Sequence, residues 1–262
     1  MRTRILGFEW DASSSHSRGP ALGPTVVKRL LTSEASSSHS IDLVDMREAI
    51  ESYEIPNLPE DGAGARALME KTVAECIGDG FAPLSIGGDH SVTYPILKAV
   101  AAKHGPVNVL HIDAHPDLYD EYEGDRYSHA CPFARSVEAG LINSLVQVGI
   151  RSWEPNARDF AEKHGVTILR ADQVDEIPAG IFSGPLYMSI DLDGLDPAFA
   201  PGVSHPEPGG LSTLDVLTMI RRIKGPLVGA DVVELNPERD PQMTTARVVV
   251  RLVKELAAKI AG

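Results

Sequence analysis

The 262-residue sequence has only two cysteines, Cys76 and Cys131, and neither belongs to a C-x-x-C pair. That excludes a disulfide framework and a thiolate metal site, and free thiols fit a reducing compartment. No apolar run approaches the ~18 residues that a transmembrane helix needs. The opening, MRTRILGFEWDAS, is basic at its start but has neither the longer apolar stretch nor the small-residue cleavage site of a secretory signal. A cytosolic chain without a membrane partner is expected. Positive charge is also scarce, with 24 Lys and Arg against 37 Asp and Glu and a formal net charge of −13. Such a surface repels phosphate backbones, which argues against nucleic acid, and it attracts cationic ligands.

What is present is a steady alternation of short β-rich runs and longer helical periods. The strand candidates are residues 3–10, 40–46, 82–88, 107–115, 144–150, 166–170, 185–193 and 227–235. Helical spacing occupies 23–32, 63–78, 91–103, 133–140, 156–164, 212–223 and 243–260. Ser91 and Ser212 stand as N-caps. Runs such as VNVLHI and LVGADVV are apolar on both faces, as in a parallel sheet covered by helices on both sides. The pattern predicts one three-layer α/β/α domain spanning 1–262, with a mostly parallel sheet of about eight strands. Ligands in such folds sit beyond the strand carboxyl ends. Two long loops, 116–132 and 194–210, leave strands at that end and read as functional. The segment ASSSHS occurs at 12–17 and 35–40, too short for a structural repeat; both copies read as polar turns, the first near enough to a strand end to help line a site.

Three charged clusters end strands. In DAHPD, Asp113, His115 and Asp117 lie at i, i+2 and i+4, so on an extended segment they share one face. Pro116 stops regular pairing there. His111 shares the parity but lies deeper, as a packed histidine rather than a ligand. In SIDLDGLDP, Asp191 and Asp193 again share a face, and Asp196 reads as a turn cap. In GGDHS, the glycines permit a sharp turn that presents Asp89 or His90 where a helix begins. So many acidic and imidazole groups packed together would repel without cations. The set is rich in carboxylate, includes imidazole and has no thiolate, which suits Mn²⁺ or Mg²⁺-like ions. It is too large for one ion, and two carboxylate-bridged ions would use it. Such a pair makes hydroxide near neutral pH, the chemistry of a binuclear metallohydrolase.

GGDHS, HIDAHPDLYDEYEGDRYSHACPF, SIDLDGLDPAFAPGVSHPEPGG and DVVELNPERD, in this order, resemble the arginase–agmatinase ureohydrolase family, closest to its plant-type branch; RGPALGPTVVKRL is similar to the family's N-terminal loop and first helix. The resemblance covers nearly the whole chain. It implies two Mn²⁺, one on His90, Asp113, Asp117 and Asp191 and the other on Asp113, His115, Asp191 and Asp193. It implies that Glu234 pairs with a substrate guanidinium, as a carboxylate facing a planar cation can, and that His129 shuttles protons. The implied reaction is attack of a metal-bridging hydroxide on the guanidino carbon of L-arginine, with Asp117 relaying a proton, releasing urea and ornithine. Agmatine or another guanidino compound is the alternative, and a catalytically silent metal-binding homologue a third. A homo-oligomer, trimer or hexamer, is implied as well.

The substrate's tail would be read by loops after two strands. Tyr119 stands where animal-type arginases carry an asparagine, a departure from that pattern. Glu154 could hold an ammonium, Trp153 could wall the pocket, and Asp11, His16 and His205 are further candidates. Cys131 replaces a small residue of the plant-type pattern and reads as packing.

Overall fold

The computed structural model describes residues 1–33 and 37–262. All eight strands are parallel: β1 (Thr3–Gly7), β2 (Ile50–Glu54), β3 (Ala82–Ile86), β4 (Val107–Ile112), β5 (Ile142–Val148), β6 (Thr167–Leu169), β7 (Leu186–Asp191) and β8 (Leu227–Val233), in the order β2-β1-β3-β8-β7-β4-β5-β6. The four central strands, β3, β8, β7 and β4, are buried along their whole length. That is why their sequences run apolar on both faces instead of alternating.

Helices cover both faces. On one lie α1 (Gly23–Leu31), α2 (Met46–Ala49), α7 (Thr213–Arg222) and α8 (Thr244–Ala261). Their core includes Val27, Met46, Ile220 and Val253, packed with Ile5, Leu84 and Met188 of the sheet. On the other lie α3 (Gly62–Gly78), α4 (Thr93–His104), α5 (Pro132–Glu138) and α6 (Pro155–His164). There Met69, Ile96, Phe133 and Ala161 meet Leu6, Val109 and Tyr187. The architecture is the expected three-layer α/β/α arrangement. No helix among the described residues is long and apolar enough to cross a membrane.

Of the two N-caps expected from the sequence, Ser212 stands and Ser91 does not. Ser212 accepts from the Asp215 amide at 3.1 Å while the Asp215 carboxylate accepts from the Ser212 amide at 2.8 Å, a reciprocal cap. The expectation for Ser91 is corrected. Asp89 caps the short 3₁₀ turn that precedes α4, accepting from the Ser91 amide at 3.1 Å, and Ser91 lies inside that turn.

One strand is misplaced by the sequence. Residues 40–45 form a tight loop leading into Met46 of α2, with the Leu43 amide donating to Ser40 O at 3.2 Å and Leu43 at φ 63°. Ile41 and Leu43 face solvent, 43% and 80% exposed, so the apolar letters of this segment do not mark a buried face. The strand is β2, IESYE, a half-buried edge strand whose polar composition hides it. Residues 35 and 36, which begin the second ASSSHS copy, lie outside the described residues.

The two glycines after β3 serve a different purpose from the one expected. Neither has a positive φ. A Cβ on Gly87 would fall 2.6 Å from Val233 Cγ1, and one on Gly88 would fall 1.6 Å from Trp10 O. They let β8 and the chain after β1 press against the turn, which brings His90 up to the ends of its neighbours.

Candidate metal centre and active site

The four central strands deliver the charged residues. His90 follows β3, Glu234 follows β8, Asp191 ends β7 with Asp193 just beyond, and Asp113, His115 and Asp117 follow β4. Because these strands are adjacent and parallel, their carboxyl ends open onto one place. His90 Nδ1 lies 3.2 Å from Asp113 Oδ2, 3.0 Å from Asp117 Oδ2 and 3.2 Å from Asp191 Oδ2. His115 Nδ1 lies 3.4 Å from Asp113 Oδ1 and 3.1 Å from Asp193 Oδ2. All six residues predicted as ligands thus come together, with Asp113 between the two halves.

Buried partners fix the imidazoles. The Tyr187 and Ser189 hydroxyls both donate to Asp231 at 2.6 Å, and Thr93 donates to it at 3.0 Å. Ser189 Oγ, its proton committed to Asp231, accepts from His90 Nε2 at 3.0 Å. His90 Nδ1 therefore carries the lone pair, and it is buried with no hydrogen-bond partner. A lone pair facing three carboxylate oxygens is repulsive unless a cation lies among them. A proton on Nδ1 would satisfy one oxygen; a metal ion satisfies all three. The donor set therefore fits a metal. Behind Asp113, the Gln147 amide donates to His111 Nδ1 at 2.9 Å, so His111 Nε2–H donates to Asp113 Oδ2, also at 2.9 Å. Phe133 packs on the His111 ring at 4.0 Å between centroids. His111 thus braces Asp113 from below.

Protonation equilibria record the crowding. Burial and the charges of neighbouring aspartates push Asp191 well above the usual carboxylate range, raise Asp193, and bring Asp117 up to about 7. Burial acts the same way on Asp113, but the neighbouring histidines outweigh it and hold its carboxyl well below that range. Glu234 is raised by burial and by the charges of Asp89 and Asp193. Burial lowers His129 to about 3, reinforced by His205, His90 and His115.

Two of the functional side chains stand on strained backbone. Asp117 has φ 51° and Glu234 φ 66°, left-handed values uncommon outside glycine. Glu234 is locked by its amide, which donates to Gly88 O at 2.9 Å, and by its Oε1, which accepts from the His90 amide at 2.9 Å.

Above the cluster is a cavity of ≈ 270 Å³. Its lining includes Glu234, His129, Tyr119, Glu154, Trp153 and His205, and no Lys or Arg. Asp11 and His16 do not line it. Asp11 instead accepts from the Gly19 and Ala21 amides at 2.8 and 3.3 Å and orders the turn before α1. Asp196 is a loop cap, accepting from Ala198, Gly209 and Gly210. Cys131 is buried and, like Cys76, free.

A strand order that opens four adjacent carboxyl ends onto an acidic, imidazole-bearing cluster narrows the families to consider. The family model described as "Arginase family" matches residues 1–258. The chain belongs to the arginase family. It is 41% identical to the arginase of Glycine max over 98% of this chain and 78% of that protein. It is 36% identical to the mitochondrial agmatinase of Gallus gallus, over 98% and 81%. The solved arginase from Medicago truncatula superposes with a TM-score of 0.92 at 37% identity, covering 99% of this chain and 87% of that one. Members of the arginase family act on small guanidino compounds, and the acidic cavity suits a cation of that kind.

Sequence reasoning missed Asp231, Ser189 and Ser15. Asp231 carried a signal, a carboxylate inside the apolar run LVGADVV, where a buried charge demands partners. Ser15 lies in the ASSSHS copy expected to help line a site, though not singled out within it, and Ser189 carried no signal.

Proposed function

We propose that the chain is a manganese-dependent hydrolase that converts L-arginine to urea and ornithine, acting as one domain over residues 1–262. The observation that carries this reading is the convergence of His90, Asp113, His115, Asp117, Asp191 and Asp193 beneath a cavity whose wall holds Glu234 and no Lys or Arg. The identity to plant arginases, 41% with that of Glycine max, supports arginine as the substrate. His90, Asp113, Asp117 and Asp191 would hold one Mn²⁺, and Asp113, His115, Asp191 and Asp193 the second. Bound ions of this kind lower the pKa of water and supply a nucleophile at neutral pH. Glu234 accepts N–H bonds from the planar guanidinium and fixes its carbon against the carboxylates. Asp117 takes a proton from the attacking water and passes it toward the leaving nitrogen. His129 exchanges a proton between that nitrogen and solvent.

A second substrate has an observation of its own. Agmatine lacks an α-carboxylate, and the cavity offers no Lys or Arg to one, whereas Glu154 in its lining suits a distal ammonium. Tyr119, beside Glu154, would bound the tail. A silent homologue is disfavoured by the presence of every ligand position together with Glu234 and His129. We place the enzyme in the cytosol on the strength of its two free cysteines, as a trimer or hexamer, which light scattering reads directly. The deciding assay is urea release by Mn²⁺-loaded protein with arginine, agmatine, guanidinobutyrate and guanidine. Arginine is expected to be the best substrate. No urea from any of them, with Asp117→Asn indistinguishable from wild type, would end the enzyme reading.

A further inference from the structure

The segment between β1 and α1, within one of the two ASSSHS copies, is a strap across the site. Near its start the Ser13 amide donates to Asp89 Oδ2 at 2.9 Å, and Ser13 O accepts from the His129 amide at 3.3 Å. At its far end Ser17 O accepts from Ser204 Oγ at 3.0 Å and Arg18 O from Asn236 Nδ2 at 3.3 Å. Between these anchors Ser15 lines the cavity, and its hydroxyl has one hydrogen-bond partner among the described residues, His129 Nε2 at 2.9 Å. His129 Nδ1 faces the other way, 3.8 Å from Glu234 Oε1. The ring is held on its remaining sides by His205, stacked at 5.5 Å and 20°, and by Tyr122, edge-on at 6.2 Å.

We propose that Ser15 is a positioning residue for His129, fixing the ring with Nδ1 toward the scissile C–N bond and exchanging protons with solvent at Nε2. This inference rests on the hydrolytic reading above. His129 and Ser15 are both partly buried, and the hydroxyl lies between Nε2 and the cavity that opens to water. His129 has a neighbour at each nitrogen, Ser15 at Nε2 and Glu234 at Nδ1, so the ring can move a proton by changing tautomer, and burial, which lowers its pKa, favours the neutral form that does so. The attacking water sheds two protons: one goes through Asp117 to the leaving nitrogen, and the other arrives at Nδ1 as Nε2–H passes to Ser15 and on to solvent. In the return step Nδ1–H goes to the leaving amine, whose nitrogen keeps the C–N electron pair. Nε2 then takes the Ser15 proton, which solvent replaces. One proton leaves and one returns per turnover.

The test compares Ser15→Ala and Ser15→Thr with His129→Asn, and uses Ser17→Ala as a control on the same strap. Ser15→Ala is expected to lower kcat by about 10-fold or more at unchanged KM, within the range of lost acid–base catalysis. Its kcat should rise with the concentration of a small imidazole buffer, and its pH profile should shift. Ser15→Thr, which keeps the hydroxyl, and Ser17→Ala should stay close to wild type. Nitrogen-15 NMR of the His129 ring reads tautomer and orientation without turnover and should change in Ser15→Ala. Wild-type kcat and pH profile in Ser15→Ala, beside an impaired His129→Asn, would overturn the proposal and leave the hydrolytic reading standing. If wild type itself releases no urea, that reading fails; an unchanged ring spectrum in Ser15→Ala would then overturn the positioning role as well.

Discussion

Asp113 divides its carboxylate between two histidines, with Oδ2 3.2 Å from His90 Nδ1 and Oδ1 3.4 Å from His115 Nδ1. One side chain thereby joins the half of the site built from β3 to the half that reaches the residues beyond β7. Its orientation is fixed by the His111 donor at Oδ2 and by the His115 amide, 2.6 Å from Oδ1. Asp113→Ala should therefore disturb both metal positions. We expect less than one Mn²⁺ per subunit by elemental analysis in that variant, against about one for Asp193→Ala and about two for wild type. Wild-type content in Asp113→Ala would refute the shared-ligand arrangement.

Ser189 acts on His90 through a single hydrogen bond, and Asp231 acts on Ser189. Ser189→Ala frees the His90 ring to take the wrong tautomer, and Asp231→Asn offers Ser189 a weaker acceptor. Each should weaken Mn²⁺ binding by about 10- to 100-fold, the usual scale for residues that orient a metal ligand, measured by titration with a competing chelator. Unchanged affinity in both variants would show that packing alone orients His90.

Glu234 should reveal its strained backbone when replaced. With φ at 66°, Glu234→Gly relieves a conformation that Glu234→Ala retains. The Gly variant should be more stable than the Ala variant by about 1 kcal/mol, read by denaturant unfolding. Both should lose kcat/KM by on the order of 10²-fold, the scale of a lost charged hydrogen bond to substrate. Equal stability of the two would argue that the loop relaxes once the carboxylate is gone.

Asp196 offers a pH test away from the metal site. Backbone amides of Ala198 and Gly209 hold its carboxyl below the ordinary value. A depressed folded pKa means that the stabilisation is fully present above the unfolded value of ~3.9. It is lost as pH falls through the folded value. The difference in Tm between wild type and Asp196→Ala should be constant well above that unfolded value and shrink progressively as pH falls below it. A gap that persists in acid would mean that the side chain acts by shape and not by charge.

Much of this protein was fixed locally in its sequence. A strand alternates its side chains every residue, so Asp113, His115 and Asp117, and likewise Asp191 and Asp193, had to share faces wherever the sheet placed them. Doubly apolar runs dictated buried parallel strands, and the spacing of the helices followed from their apolar periods. The edge strand Ile50–Glu54 escaped because half-burial leaves little hydrophobic signal, while exposed Ile41 and Leu43 gave a false one. Tertiary structure decided the rest. Only the order β3-β8-β7-β4 makes neighbours of His90, Glu234, Asp191 and Asp113, since strand adjacency arises from long-range pairing. The left-handed φ of Asp117 and Glu234, the Asp231–Ser189–His90 chain and the approach of Ser15 to His129 are contacts between segments far apart in sequence or imposed by surrounding packing. No local pattern specifies them, because the energy that selects them belongs to the assembled site.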